Sequence, residues 1–370
     1  MSKPFKYVNG LNSIRFVAVL LVIIGHWGLY YPRQTVQFEL LKVFIPWGKF
    51  GLAFFLVLSG FLISSVLFKA RRDMTSSDNK FVIIKNFLMR RALRLLPVYY
   101  LMLTVLYLLG NVDLHQHPIY YLTHTSNILI YKQQEGNSLV HLWSLSVQEQ
   151  FYVLLPWFIL FMNEKLLKYV IYLGIFFGVA SKFFAIYIQH YEFPSLLPHA
   201  LDSLSLGVLY AYYMYVGRHE KFERVIKFML PLLLYFGWQM AYFRGTAPGV
   251  MYTRTMWSYM GLCIIIFTLN NKNVLLAKYF FENKLLNYLG KISYGIYLYH
   301  YPIGNFFDEW FIPFQAKYHL PYFISNFISI YIIKIGIVIT VAVLSYNFFE
   351  TPIINLKKKF NYLKKTAVSG

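Results

Sequence analysis

The first apolar segment, NSIRFVAVLLVIIGHWG, contains an arginine and a histidine that lipid should exclude. Arg15 and His26 are eleven residues apart, so a helix returns them to within about 20° of one face and separates them by ~16 Å along its axis. Because a charge is costly in hydrocarbon, such a face borders the bundle interior or a wet cavity. A neutral imidazole there can act as a general base or a nucleophile. The structural alternative is an Arg15 that reaches the membrane interface and a His26 that is a hydrogen-bonded core residue.

A second set of polar side chains lies in the segment HLWSLSVQEQFYVLLPWFIL. Four of them recur at i, i+3, i+7 and i+11, which is the pattern of one helix face: His141, Ser144, Gln148 and Tyr152. Glu149 lies beside this stripe. Polar packing between helices can also produce such a pattern, but a carboxylate near a histidine indicates a candidate site.

A third polar face is predicted in GKISYGIYLYHYPIG, where Ser293, Tyr297, His300 and Gly304 have helical spacing. Tyrosines are common at membrane interfaces. A histidine in this position is more often a hydrogen-bonded core residue than a catalyst. His300 is therefore interpreted as a candidate wall of the cavity.

Three arginines open the segment RRALRLLPVYY. Arg90, Arg91 and Arg94 fall within about one helical turn, so their guanidinium groups could form an anion site. A positively charged flank of a membrane span is the simpler explanation. The choice of arginine over lysine at all three positions favours phosphate binding, because the planar fork matches phosphate oxygens in pairs.

Neither cysteine nor histidine spacing predicts a metal site. The single cysteine, Cys263, provides no cluster and no disulfide framework. His115, His117 and His124 occur in DLHQHPIYYLTHTSN without a ligand spacing typical of zinc. We therefore expect no metal.

The elements that position these residues are membrane helices. Of 370 residues, 58% are hydrophobic and 20% aromatic, and the mean hydropathy is +0.48, values that predict an integral membrane protein. Apolar segments long enough to cross ~30 Å of hydrocarbon predict an all-α protein with ten spans, near 12 to 30, 50 to 68, 95 to 110, 142 to 162, 169 to 189, 201 to 216, 228 to 243, 255 to 270, 292 to 310 and 323 to 349.

The predicted topology explains the net charge of +20. With the N-terminus inside, most of the 35 lysines and arginines fall on inner loops and tails, as the positive-inside rule requires. Ten spans then place both termini in the cytoplasm. Orientation and contact with anionic lipid account for the charge, so a nucleic-acid partner is not expected.

Together these elements resemble the membrane acyltransferase family 3, the O-acyltransferases that modify bacterial surface polysaccharides and related glycans. The resemblance covers about residues 8 to 352. Its markers are, in chain order, the spacing of Arg15 and His26, the second span FFLVLSGFLISSVLF, the Arg-x-x-Arg of Arg91 and Arg94, HLWSLSVQEQFYVLLP, ISYGIYLYHYPI, and the closing FFETPI with Glu350.

The resemblance implies one transmembrane acyltransferase domain over residues 1–370, in the bacterial cytoplasmic membrane. It implies acyl-CoA, most often acetyl-CoA, as the donor substrate and a hydroxyl of a cell-surface or lipid-linked saccharide as the acceptor, with no permanently bound cofactor. Arg90, Arg91 and Arg94 would hold the nucleotide phosphates. His26 would act either as general base or as a nucleophile that carries the acyl group, and Arg15 would contribute electrostatics or a contact to the CoA phosphates.

The remaining candidate residues are assigned to the acceptor and the cavity. Glu149 could orient the imidazole or a sugar hydroxyl. Trp143 and Tyr152 could stack on and hydrogen-bond to a pyranose ring. The other cavity residues are His141, Ser144, His300 and Glu350.

Two features depart from the family pattern. Many members carry an arginine before the sixth span where this sequence has His199, although Asp202 and Gly207 are kept. Some relatives also have a C-terminal extracytoplasmic esterase-like domain, which is not found in these 370 residues. We therefore expect direct transfer to the acceptor or a separate extracytoplasmic partner protein.

Two other functions fit the same residues. A transporter or flippase for a lipid-linked glycan or small solute could line its passage with His26, Arg15 and Lys334, but the sequence has no repeated halves. A non-catalytic membrane scaffold could use the interior polar groups for packing alone.

Overall fold

The computed structural model describes residues 10–28, 47–190, 195–242, 247–270, 279–319, 321 and 327–362. Within these ranges every regular element is a helix, so the all-α prediction is confirmed. The prediction that both termini are cytoplasmic falls on residues 1–9 and 363–370, which lie outside the described ranges.

The long helices overlap the predicted spans, although some of them begin earlier. In chain order they are α1 (Gly10–Gly28), α2 (Trp47–Asp73), α3 (Lys80–Leu108), α4 (Val112–Gln116), α5 (Pro118–Leu122), α6 (Ser126–Gln133), α7 (Leu142–Phe161), α8 (Glu164–Phe183), α9 (Leu201–Tyr215), α10 (His219–Tyr242), α11 (Ala247–Asn270), α12 (Lys284–Lys291), α13 (Ser293–Tyr318), α14 (Phe327–Leu344) and α15 (Thr351–Asn355). Single π turns extend α8 to Ile188 and α14 to Glu350.

Several of these helices can cross a membrane. By length and composition, five in the described part of the chain qualify: α1, α2, α3, α8 and α14. The structure is thus that of a membrane protein. The total of ten spans and their orientation stay predictions.

Helix α3 begins fifteen residues before the span predicted near residue 95. Its start is fixed by Asn79, whose side chain accepts a hydrogen bond of 2.8 Å from the Phe81 amide, as an N-cap does. Arg90, Arg91 and Arg94 therefore lie inside a continuous helix rather than at its first turn. The apolar pattern did not reveal this extension because Lys80–Asn86 contains exposed and charged positions beside the buried Ile83 and Ile84.

Helix α2 is the centre of the bundle and packs against α1, α7, α9 and α11. Its contact with α9 is made by two glycines. A Cβ on Gly207 would overlap the Val57 carbonyl oxygen and lie 2.6 Å from Phe61 N, and one on Gly60 would overlap the Leu204 carbonyl oxygen. Small residues let membrane helices approach this closely.

A buried ion pair joins α8, α9 and α11. Lys182 and Asp202, each 1% exposed in its side chain, are in direct contact. Thr255 donates to Asp202 Oδ2 over 2.7 Å and accepts from Lys182 Nζ over 2.9 Å. Charges at membrane depth need such partners, and the pair explains why a lysine is tolerated within a predicted span.

The glycine contact between α2 and α9 gives a test of this packing. We expect Gly207→Ala to destabilise the protein by about 1–3 kcal/mol, because the added methyl forces two backbones apart. Thermal unfolding of the purified protein in detergent measures the effect. Gly336→Ala on α14 is the matched control, since a Cβ there meets nothing within 4 Å. Equal melting temperatures for the two variants would contradict the assigned packing.

Candidate functional site

His26 on α1 is hydrogen-bonded to His300 on α13, with 2.8 Å between His26 Nδ1 and His300 Nε2. The other ring nitrogen of His300, Nδ1, lies 2.5 Å from the carbonyl oxygen of Tyr297. Because a carbonyl oxygen only accepts, His300 Nδ1 carries a proton, and a neutral His300 accepts at Nε2. His26 Nδ1–H then donates. The lone pair of a neutral His26 is consequently on Nε2.

The two imidazoles differ in exposure. The His300 side chain is fully buried, whereas His26 keeps part of its surface accessible. Within the described ranges, no hydrogen bond reaches His26 Nε2. The pair therefore has one inner member that holds a proton in place and one outer member with a lone pair available to a substrate.

Trp27 and α14 hold His300 in this position. Trp27 Nε1 donates to the His300 carbonyl oxygen over 3.3 Å, and its ring contacts Gly304, where any Cβ would overlap the indole. The Lys334 ammonium lies 4.9 Å from the Trp27 ring centroid and pairs with Asp308 at 2.6 Å. Lys334, a predicted passage residue, thus has a half-buried acidic partner and packs against Trp27.

His141 is a third imidazole in the same cluster. Its ring centroid lies 5.2 Å from that of His300, and its Nε2 is 3.1 Å from the Leu298 carbonyl oxygen. His141 Nδ1 is buried and has no hydrogen-bond partner in the described part of the chain. The Ser144 hydroxyl is 2.6 Å from the Tyr297 hydroxyl, so Ser144 is tied to the wall behind the histidines.

Arg15, Glu149, Tyr152 and Arg91 form an electrostatically linked group about ten residues along the helices from the histidines. The Tyr152 hydroxyl interacts with the charges of the other three, and Arg91 and Glu149 attract each other. Arg91 and Glu149 keep accessible surface although protein surrounds them. Because protein surrounds them and they still have accessible surface, Arg91 and Glu149 border an internal space. Gln148 fixes the Tyr152 hydroxyl by accepting from it over 3.1 Å.

The three predicted arginines are not equivalent. Arg90 Nη1 donates to the Phe360 carbonyl oxygen over 3.1 Å and its guanidinium carbon lies 4.7 Å from the Tyr362 ring centroid. Arg94 makes no hydrogen bond to any residue that the structure describes, and Arg91 stacks on Phe87 at 5.8 Å. Arg91 and Arg94 are therefore the members whose hydrogen-bonding groups remain for a ligand.

Two further charged residues lie at these arginines. Lys357 interacts with the like charges of all three arginines, and the buried Glu350 carboxylate attracts Arg94. Ser345 donates to Glu350 over 3.2 Å. Glu350 thus belongs to the arginine end of the bundle rather than to the histidine end.

Trp143 lies at the histidine end, where the Arg254 guanidinium carbon is 5.3 Å from its ring centroid. His199, which stands where the family pattern has an arginine, accepts at Nδ1 from the Leu196 amide over 3.2 Å. Arg254 from α11 interacts electrostatically with both His199 and Asp202. A guanidinium is therefore present near Asp202, although it comes from another helix.

The loop histidines do not converge. His115 stacks on Tyr107 at 4.1 Å, and His117 lies 3.3 Å from the Gln133 amide nitrogen. His124 stacks on a tyrosine of α3 at 4.2 Å, and burial lowers its pKa to about 4. Among the described residues, no group of three histidine, cysteine or acidic side chains could hold a metal ion.

Sequence reasoning did not find Lys357, Arg254 or the role of the Tyr297 carbonyl. In the sequence, Lys357 is one of several lysines near residue 360, and nothing distinguishes it from them. Arg254 is a single basic residue within an apolar segment, and no motif in the sequence distinguishes it. Only the contact between α1 and α13, 274 residues apart at His26 and His300, shows which imidazole nitrogen holds the proton.

Comparison with known proteins identifies the family of the chain. The acyltransferase-domain profile of the acyltransferase 3 family matches residues 8–347. A protein named "Putative O-acetyltransferase" from Staphylococcus aureus strain COL is 26% identical over 95% of this chain and 58% of its own length. The O-acetyltransferase OatA of S. aureus strain NCTC 8325 / PS 47 is 26% identical over 94% of this chain and 57% of its own length.

No solved structure matches the chain. The chain spans less than two thirds of the length of these relatives. The family profile, in contrast, covers α1, which carries Arg15 and His26, α3, which carries the arginines, and α13, which carries His300. On this match the chain belongs to the acyltransferase 3 family.

Proposed function

We propose that this protein is a membrane O-acyltransferase of the bacterial cytoplasmic membrane that moves an acyl group, acetyl in the simplest case, from acyl-CoA to a saccharide hydroxyl. The observation that carries the proposal is the hydrogen bond from His26 Nδ1 to His300 Nε2. It leaves the His26 Nε2 lone pair on the accessible member of the pair. That lone pair is what proton removal from a hydroxyl requires.

The proposed reaction is balanced within the site. His26 Nε2 takes the proton of the acceptor hydroxyl. At the same time the oxygen of that hydroxyl attacks the thioester carbonyl carbon. The new carbon–oxygen bond forms, the carbon–sulfur bond breaks, and the proton passes from His26 to the departing CoA thiolate. The products are the O-acyl saccharide and CoA thiol. His300 keeps the His26 ring in the required tautomer throughout, as the third member of a catalytic triad does.

The donor is proposed to enter at the arginine end. Arg91 and Arg94 would bind the CoA phosphates with paired hydrogen bonds, and Lys357 adds a third cation. Arg90 would line the donor entrance while its guanidinium donates to the Phe360 carbonyl oxygen. The pantetheine arm would then pass Arg15, Glu149 and Tyr152, and Arg15 lies ~16 Å along α1 from His26.

The acceptor is proposed to approach from the histidine end. Trp143 offers an indole face for a sugar ring, and the fully buried His141 supports the His300 ring behind the site. Ser144 and Tyr152 line the cavity.

At the arginine end, the Glu350 carboxylate would offset part of the positive charge of Arg94. A separate extracytoplasmic protein could relay the acyl group onward to the final glycan.

We expect His26→Ala to abolish acyl transfer while leaving folding intact. Loss of the general base should lower transfer by at least about 10²-fold. The measurement is acetyl-CoA-dependent release of CoA thiol and formation of acetylated glycan in membranes that contain the full chain. Membrane abundance and melting temperature serve as controls. Transfer by His26→Ala at the wild-type rate would refute the proposed base.

His300 should act as a positioning residue. His300→Ala removes the acceptor for His26 Nδ1–H, so we expect kcat to fall by about 10²-fold with little change in the acyl-CoA KM. His300→Gln should recover part of kcat, because its amide oxygen can accept the same hydrogen bond. A purely structural His300 would instead lower the amount of folded protein in both variants and leave kcat per folded molecule unchanged.

The donor site makes a prediction that separates the arginines. Arg91→Ala and Arg94→Ala should each raise the acyl-CoA KM about tenfold or more, because a charge-assisted contact to phosphate contributes ~1.5–3 kcal/mol. Arg90→Ala should raise it less, since its guanidinium is bound to Phe360. Exposed Lys85 on the same helix supplies the control Lys85→Ala. Equal KM values for all four variants would contradict a phosphate site here.

A further inference from the structure

One turn of α13 provides backbone carbonyl oxygens to three ring N–H groups. The Tyr297 oxygen accepts from His300 Nδ1, and the His300 carbonyl oxygen accepts from Trp27 Nε1. Between them, the Leu298 oxygen accepts from His141 Nε2 over 3.1 Å. In a regular α-helix each carbonyl oxygen accepts from the amide four residues later. Side-chain donors therefore compete with the helix itself at this turn.

Pro302 removes that competition at Leu298. It lies inside α13, four residues after Leu298. Proline has no amide hydrogen, and its ring crowds the carbonyl of the residue four positions earlier. The Leu298 oxygen consequently lacks its helical donor. A buried backbone carbonyl without a partner is costly, and His141 Nε2 supplies the hydrogen bond instead.

This hydrogen bond fixes the His141 ring. Because a carbonyl oxygen only accepts, His141 Nε2 carries the proton. The His141 side chain is fully buried and its ring stacks on that of Tyr301, with the centroids 5.1 Å apart and 13° between the planes. Tyr301 in turn meets the His26 ring edge-on, with 5.5 Å between the centroids. His141 is therefore a support that holds Tyr301 against His26.

His26 is thus held by two consecutive residues of α13. His300 binds His26 Nδ1 and stacks on its ring, with the centroids 5.1 Å apart and 9° between the planes. Tyr301 packs against the same ring at an angle of 86°. A ring that is contacted both face-on and edge-on has little freedom to rotate. General base catalysis needs such a fixed ring, because the Nε2 lone pair must point at the acceptor hydroxyl.

We propose that Pro302 is a positioning residue for acyl transfer. Its missing amide hydrogen leaves the Leu298 carbonyl oxygen to His141. The His141 ring then supports Tyr301, and Tyr301 holds His26 with Nε2 toward the acceptor hydroxyl. The inference rests on the proposed function and adds to it a residue that acts only through other side chains.

The first test is Pro302→Ala in the full chain. Native membranes supply the cell's own glycan as acceptor, and radiolabelled acetyl-CoA is the donor. The new amide hydrogen should take the Leu298 oxygen from His141, so we expect kcat per folded molecule to fall about tenfold, as for the loss of one hydrogen bond. The acyl-CoA KM should stay near wild type. Because proline is unfavourable inside a helix, the melting temperature should not fall.

Pro313→Ala is the matched control. Pro313 also lies inside α13, eleven residues farther along the chain. The carbonyl four positions before it belongs to the exposed Glu309, and no side chain that the structure describes donates to that oxygen. The same substitution there should leave kcat at the wild-type value.

A second variant separates the missing amide hydrogen from the proline ring. It carries lactic acid at position 302, which has the side chain of alanine but joins the chain through an ester and brings no amide hydrogen. The Leu298 oxygen again lacks a helical donor, so kcat should return toward the wild-type value. If the ester variant is as slow as Pro302→Ala, the ring is what matters and the proposal is overturned.

Nitrogen NMR of protein labelled in its histidine rings gives a readout that needs no catalysis. In the wild type we expect His141 to be protonated at Nε2 and unprotonated at Nδ1. In Pro302→Ala a second tautomer of His141 should appear, whereas Pro313→Ala should keep the wild-type spectrum. His141→Gln assigns the signals by their loss. An unchanged His141 spectrum in Pro302→Ala would refute the inference.

The outcomes separate this inference from the proposed function. Wild-type kcat in Pro302→Ala, or an equal decrease in Pro313→Ala, would overturn the role of Pro302 and leave acyl transfer standing. A lower melting temperature that accounts for the lost activity would assign Pro302 to folding and likewise overturn it. No acetyl-CoA-dependent transfer by the wild-type protein would overturn the proposed function. The NMR spectra would then still decide whether Pro302 fixes the His141 ring.

Discussion

The carbonyl oxygen of Tyr297 decides the protonation pattern on which the rest of the site depends. It can only accept, so it fixes the proton on His300 Nδ1, and the hydrogen bond between the imidazoles then fixes the proton on His26 Nδ1. Neither histidine needs a carboxylate partner for this. A backbone carbonyl suits a membrane interior because it orients a ring without adding a buried charge. Trp27, Gly304 and Lys334 keep α13 at the distance from α1 that this chain of hydrogen bonds requires.

The polar groups of the bundle are divided between two ends. Arg91, Arg94 and Lys357 gather at one end, and the three imidazoles gather at the other. Helices α1 and α7 span the distance between the two ends and carry Arg15 and Glu149 along it. Elsewhere, charges in the described core are paired, as at Lys182–Asp202 and Lys334–Asp308. Such pairs stabilise the bundle, whereas the two ends hold like charges or unpaired lone pairs, which is the pattern of ligand sites.

Much of this organisation could be predicted from the sequence. Helical spacing correctly placed Tyr297 and His300 on one face and grouped His141 with Ser144, and apolar segments located the long helices. Contacts between distant helices could not be predicted. The partner of His26 is 274 residues away, and the guanidinium near Asp202 comes from Arg254 rather than from the position before α9. The start of α3 was also missed, because the extension before Arg90 is amphipathic and resembles a loop flank in its charge.

The contact between Arg90 and the Phe360 carbonyl oxygen has a consequence for biosynthesis. Helix α3 leaves the ribosome early, but the backbone that covers Arg90 is translated about 270 residues later. The Asn86 side chain likewise donates a hydrogen bond to the Asn361 carbonyl oxygen, which is also translated late. The arginine end of the bundle is therefore completed only when the segment around residue 360 has been synthesised and has returned to α3. A nascent chain that has inserted its early helices still lacks the backbone that binds Arg90.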